Sequence, residues 1–103
     1  MALKRWYIYG FTSPETKTLL TAEADKETII LSLLISNYSD SDNANVTVTH
    51  TDGTNTIFEW TLTIESDSSP FALDSKIVME PGDEINVESD IDNLSVLASG
   101  DES

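Results

Sequence analysis

Cysteine is absent from this chain. Its absence removes disulfides, thiolate metal sites and cysteine nucleophiles together. Histidine occurs once, at His50, which leaves little for a histidine-based triad or a multi-histidine metal site. Lysine and arginine number 5 against 19 acids, for a formal net charge of -14. A nucleic-acid binder neutralises phosphates with basic clusters, and none is present. The same deficit argues against docking on an anionic membrane surface. No segment approaches the roughly 18 apolar residues of a membrane helix. The longest run, Ile29 to Ile35, is broken by Ser32. The start Met1-Ala2-Leu3-Lys4-Arg5 looks superficially like a signal peptide, but Trp6 to Phe11 is aromatic and Thr12-Ser13-Pro14-Glu15 comes next. No apolar h-region and no small-residue cleavage site come after it. The expectation is a protein that stays in the compartment where it is made, and the lack of cysteine suits a reducing cytosol.

What is present points to strands. Serine and threonine supply 25 of the 103 residues and alanine only six. Helix formers are scarce, and β-branched residues recur in short runs separated by Asp, Asn, Gly and Pro. A chain of this length makes one domain, here residues 1–103. Its strands are predicted at Leu3 to Tyr9, Thr18 to Ala22, Thr28 to Ser36, Asn45 to Thr51, Thr56 to Ile64, Leu73 to Met79, Glu84 to Glu88 and Leu94 to Ser99. A helical turn is expected around Ala22 to Lys26. The run Thr28 to Ser36 is almost continuously apolar, so it reads as a central strand covered at least partly on both faces. Val46 and Val48 alternate inward, as do Phe58, Trp60, Leu62 and Ile64 on the next strand. Asp52-Gly53 between them signals a hairpin with a type I′ turn. Glu80-Pro81-Gly82-Asp83 has Pro and Gly where a type II turn needs them. Residues 1–12 read as an aromatic strand or arm, and residues 100–103 as a frayed acidic tail. About eight short strands at close spacing predict an all-β, antiparallel two-sheet sandwich of jelly-roll type.

Three constellations carry possible chemistry. Ser39-Asp40-Ser41-Asp42-Asn43 and Ser89-Asp90-Ile91-Asp92-Asn93 share a pattern in expected loops. Asp40, Asp42, Asp90 and Asp92 offer the oxygen ligands that Ca²⁺ prefers, but the glycine and glutamate spacing of an EF-hand is missing. Asp, Asn and Ser are also ordinary turn formers, and that reading outweighs a metal site. After Lys76 there is no further Lys or Arg, and eight carboxylates lie beyond it. They read equally as a face for a basic partner or as a solubilising surface. Trp6, Tyr7, Tyr9 and Phe11 make the N-terminal strand apolar on both sides, with Trp6 and Ile8 on one face and Tyr7, Tyr9 and Phe11 on the other. One side suits the core, and the other needs a partner or a neighbouring part of the domain. Three Asn-x-Ser/Thr strings, at Asn37, Asn45 and Asn93, are what this composition yields by chance. His50, beside Asp52, reads as a surface residue. No pair of the acids is marked as buried and facing, so catalysis has little support.

Thr28-Ile-Ile-Leu-Ser-Leu-Leu-Ile-Ser-Asn37, a Ser/Asp-rich turn and Ala44-Asn-Val-Thr-Val-Thr49 resemble the first half of small tailed-phage virion proteins. Leu73-Asp-Ser-Lys-Ile-Val-Met79, Glu80-Pro-Gly-Asp83, Ile85-Asn-Val87 and Leu94-Ser-Val-Leu-Ala-Ser-Gly100 fit the second half. The resemblance spans roughly residues 16 to 100 and is one of strands and turns. It implies a non-enzymatic β-sandwich that decorates or cements a capsid, or serves as a tail or baseplate accessory, often as a homotrimer. The implied partners are a major capsid protein or a tail protein. No cofactor, nucleic acid or membrane is expected, and the implied location is the virion, assembled in the host cytoplasm. Trp6, Tyr7, Tyr9 and Phe11, with part of Ile29 to Ile35, are the expected contact residues. The competing readings are a carbohydrate-binding module using Trp6 or Trp60 as a platform, and an enzyme built on a buried polar cluster.

Overall fold

The computed structural model describes residues 3–103. Those residues contain nine strands and no helix: β1 (Leu3–Tyr9), β2 (Glu15–Thr21), β3 (Thr28–Asn37), β4 (Ala44–Thr51), β5 (Thr56–Ile64), β6 (Phe71–Leu73), β7 (Ile77–Met79), β8 (Glu84–Ser89) and β9 (Leu94–Glu102). One antiparallel sheet runs β1-β9-β3-β6, with β7 also on β3, and the other runs β2-β8-β4-β5. Strands β6 and β7 both pair with β3, at Leu33 to Ile35 and at Thr28 to Ile30. They amount to one strand interrupted at Asp74-Ser75-Lys76. Counted so, eight strands switch between two sheets in the order of a jelly roll. The expected two-sheet sandwich is the fold.

Alternation builds the core. Val46 and Val48 of β4, Ile85 and Val87 of β8, Leu94, Val96 and Ala98 of β9, and Ile30, Leu33 and Ile35 of β3 are buried between the sheets. A strand places every second side chain on one face, so the period of two in the sequence sets which residues meet. Besides one at Ile57 next to the β4–β5 hairpin, two bulges break that period. Leu19 is inserted in β2 between Thr18 and Leu20, and Leu31 in β3 between Ile30 and Ser32. Opposite the second bulge the backbone comes very close. A Cβ on Gly100 would sit 2.0 Å from the carbonyl oxygen of Ile29.

The predicted frayed tail at 100–103 is instead the end of β9. Gly100, Asp101 and Glu102 pair with β3, and Glu27 and Ser103 exchange two backbone hydrogen bonds of 2.9 and 3.0 Å. Glu102 is 3% exposed. It accepts hydrogen bonds from Lys4 Nζ at 2.8 Å, Thr28 Oγ1 at 2.9 Å and the Glu23 amide at 3.2 Å. The tail looked polar enough to fray, but its acid has three donors waiting. The helical turn expected at Ala22 to Lys26 is not formed: a tight non-helical turn takes its place, with Asp25 in the left-handed region at φ 67° and the Lys26 amide donating to the Glu23 carbonyl. The expected cover over both faces of β3 is also incomplete. Leu31 and Leu34 point outward and remain partly exposed.

Burial alone would push the Glu102 carboxyl up. The bonds from Lys4, Glu23 and Thr28, with the Lys4 charge, outweigh it and hold the carboxyl below the usual range. A depressed folded-state pKa gives stability that is present above the unfolded value and is lost as pH falls through the folded one. Glu102→Gln is expected to cost about 1–3 kcal/mol at neutral pH. The gap between the two proteins in urea midpoint should close as pH falls below the ordinary glutamate range. A second test is Gly100→Ala, whose methyl meets backbone and not a movable side chain. It should destabilise by about 1–3 kcal/mol in the same urea titration.

Candidate interaction face

The two outer surfaces of the sandwich differ in chemistry. On the four-stranded sheet the outward rows are Thr18, Asn86, Thr49 and Glu59, then Thr16, Glu88, Thr47 and Thr61. This surface is threonine, asparagine and glutamate, tied by contacts such as Thr18 Oγ1 to Asn86 Oδ1 at 2.7 Å. On the five-stranded sheet the register aligns Tyr7, Leu97, Leu34 and Ala72 in one outward row. Beside it lie Arg5, Ser99 and Ser32, then Leu3, Asp101, Ile29 and Val78. Tyr7 is 66% and Tyr9 73% exposed. An apolar groove of about 310 Å³ runs between Tyr7, Tyr9, Leu34, Leu97 and Pro70. Tyr9 stacks on Tyr38 with ring centroids 5.0 Å apart and planes at 15°. Burial first, then the neighbouring Tyr9, raises the Tyr38 hydroxyl above the ordinary tyrosine value.

Charge sorts the same way. Lys4, Lys17 and Lys26 each form an ion pair with a glutamate. Among the described residues Arg5 and Lys76 form none. Arg5 stands on the outward side of β1 between Leu3 and Tyr7. Its guanidinium stands next to the apolar Tyr7 row, with Asp101 in the row on its other side.

Of the four predicted contact residues, the structure leaves two outside. Trp6 packs against the core, with Lys4 Nζ 5.6 Å from its ring. Phe11 is 6% exposed and belongs to the core, a correction to its assignment beside Tyr7 and Tyr9. The cause is Gly10, whose φ of +86° ends β1 and swaps the faces of the residues after it. Such a backbone favours glycine, and the phase of an alternating pattern does not survive it. Leu34, Leu97 and Arg5 complete the face, and all three belong to strands read from the sequence. What the sequence hid was which strands lie side by side.

The Asp-x-Asp strings meet beside Tyr9 and Tyr38, where the Phe11 amide donates to the Asp92 carbonyl and the Tyr38 amide to the Asn93 carbonyl. Asp42, Asp90 and Asp92 line one polar depression with Ser13 and Ser39, and Asp40 lies outside it. Asp90 and Asp92 are engaged in local hydrogen bonds. Asp90 accepts from the Asn45 amide and from Asn45 Nδ2, both at 2.8 Å, and Asp92 accepts from the Ser13 amide at 2.8 Å. The Ser13 bonds hold the Asp92 carboxyl below its usual range. No group of three metal-ligating side chains stands together among the described residues. These acids shape turns. The eight carboxylates after Lys76 do not form one face, since Asp83 and Glu102 are buried and Glu84 and Glu88 lie among threonines.

His50, read as a surface residue beside Asp52, is instead buried, and its Nε2 lies 3.0 Å from Asp83 Oδ2. The same Oδ2 accepts the Glu80 amide at 3.0 Å, inside the turn that the Asp83 amide closes onto the Glu80 carbonyl, with Gly82 at φ +90°. The predicted type II turn is present, and His50 and Asp83 anchor it to β4. Asp52 serves its own hairpin. Its Oδ1 accepts the Thr54 and Asn55 amides at 2.9 and 2.7 Å, which holds its carboxyl below the usual range. Gly53 has positive φ there and Asp52 does not, so the turn is a four-residue loop and not type I′.

No protein-family model matches the chain, and no curated protein matches it. An outer face that is idle in folding should tolerate polar change. Tyr7→Ser and Leu97→Ser are each expected to move stability by no more than about 0.5–1 kcal/mol. Asp83→Ala should cost about 2–3 kcal/mol, because it strands the buried His50 nitrogen and the Glu80 amide. Paired urea titrations check both.

Proposed function

We propose that the chain is a non-enzymatic structural protein of a tailed-phage particle, a decoration module that lays the outer face of β1, β9 and β3 on neighbouring capsid subunits. The observation that carries the reading is the unequal pair of outer faces. One is threonine, asparagine and glutamate, and the other carries the apolar row of Tyr7, Leu97 and Leu34, with Arg5 beside it on the edge strand β1. Small soluble domains rarely leave such a surface idle, and it marks a place where another protein sits. The partner surface is apolar with a carboxylate opposite Arg5. Binding the assembled shell and not its separate subunits stabilises the shell by linkage, worth about 2.7 kcal/mol per site at a hundredfold excess over Kd. The His50–Asp83 pair supports the non-catalytic part of the reading, since it is buried and engaged by a turn amide. The strand-and-turn resemblance to virion proteins supplies the setting.

The test is co-sedimentation with heads and with tails purified from the phage that encodes the chain. The expected result is saturable binding to heads and a higher temperature of head rupture. Tyr7→Ser with Leu97→Ser should weaken binding at least about tenfold, as removal of central aromatic and aliphatic anchors does. Thr47→Ala on the opposite face should leave it unchanged. Binding to tails alone would replace the decoration reading with a tail accessory. Binding to neither particle, or to glycans in its place, would overturn it.

A further inference from the structure

The geometry points to a second surface, the free edge of β5, as the seam where two copies of this chain join into one continuous sheet. Among the described residues β5 pairs only with β4, so its other edge presents unpaired backbone amides and carbonyls. Natural proteins guard such edges with prolines, charges, bulges or interruptions. The other edge strands here have those guards. β1 carries Lys4 and Arg5, β2 carries Glu15 and Lys17 with a bulge at Leu19, and the β6/β7 edge is interrupted at Asp74-Ser75-Lys76. β5 reads Thr-Ile-Phe-Glu-Trp-Thr-Leu-Thr-Ile, with no proline and one charge. Its single bulge, at Ile57, sits at the hairpin end. Ile57 and Phe58 are each 52% exposed. Phe58 and Trp60 lie against each other with centroids 4.6 Å apart, over an open depression of about 430 Å³ that reaches Ile77 and Val78. Ile57, Phe58 and Val78 are open to solvent along this side.

The sequence of β5 fits a second copy of itself. Two copies related by a two-fold axis normal to the sheet pair antiparallel, with the same residue at the centre of each strand. Side chains directly opposite must share a face. Centring on Trp60, the midpoint of Thr56–Ile64, sets Trp60 against Trp60, Phe58 against Leu62 and Glu59 against Thr61. Aromatic and aliphatic residues then meet on the inner face, covering the exposed Phe58, while threonine receives the lone acid on the outer face. Centring on Glu59 would oppose two like charges. Centring on Thr61 or Phe58 would leave part of the strand without a partner. The result is an eight-stranded sheet of order β2-β8-β4-β5 continued through its copy. This two-fold seam does not depend on the capsid reading and differs from the threefold assembly that the virion resemblance implies.

Sedimentation equilibrium of the full chain, from micromolar to millimolar concentration, tests the seam. The expected result is a reversible monomer–dimer equilibrium that tightens as salt rises, because each copy carries a net charge of -14 and salt screens the repulsion. Thr61 is exposed on the outward side. Thr61→Lys faces Glu59 twice in the dimer and should tighten it roughly three- to thirtyfold, and Thr61→Glu should loosen it by a similar factor. Thr16→Lys and Thr16→Glu change the net charge equally on the far edge of the same sheet and set the baseline. Urea midpoints confirm that all four variants fold. A monomer at every concentration, a trimer, or Thr61 variants that track the Thr16 variants would each overturn the proposal.

Discussion

The sandwich depends on β9. It holds β1 along one side and β3 along the other, so three strands of the larger sheet exist only because one strand pairs twice. Its last turn of alternation delivers Glu102 inward, where a carboxylate is costly unless every oxygen is engaged. Lys4 from β1, Thr28 from β3 and the Glu23 amide from the β2–β3 connection converge on it. The first and third strands and the crossing between the sheets are thereby fixed from one point. Gly100, two residues earlier, lets β9 approach β3 where Leu31 bulges out. A larger residue there would hold the strands apart just before the carboxylate reaches its donors.

Much of this architecture was legible in the period of two. β4, β8 and the Pro-Gly turn obey their sequence pattern because each lies in the interior of a sheet or in a turn with fixed backbone demands. The pattern failed where the backbone changed phase or where an edge left a face uncovered. Gly10 turned Phe11 into the core, and the inserted Leu31 put an apolar residue outside. Phe58 sits on the inward face of β5, yet it stays half exposed against Trp60, across from the short strands β6 and β7. No local rule reports on these, since each depends on what lies across the sandwich. His50 is the same case. Its partner Asp83 is 33 residues away, and only the placement of β8 beside β4 brings them together. Of the candidate face, Tyr7 and Tyr9 were legible from alternation alone. Leu34, Leu97 and Arg5 needed the strand order.

A jelly roll by itself says nothing of function. The information lies in how this one distributes its surface. The acids lie largely on loops and on the four-stranded face, as with Glu59, Glu84 and Glu88, where they keep the surface hydrated and repel copies that approach face to face. The five-stranded face carries an apolar row with Arg5 and Asp101 beside it. The two outer faces thus differ in both charge and apolar exposure, an asymmetry on which the proposed docking rests.

The edge of β5 and the face of the larger sheet are not rivals for the same role. A two-fold axis normal to the four-stranded sheet returns each copy to the same side of the joined sheet. Both five-stranded sheets of such a pair therefore lie on one side, and their apolar faces, with Tyr7, Leu97 and Leu34 in each, look in one direction. A rigid pair of faces aimed at one surface gains from effective concentration: once the first is seated, the second binds as an intramolecular event. A weak face on a small domain, doubled this way, holds a large flat partner far more firmly than either copy alone. The polar sheet, continuous across the seam, would form the outer skin.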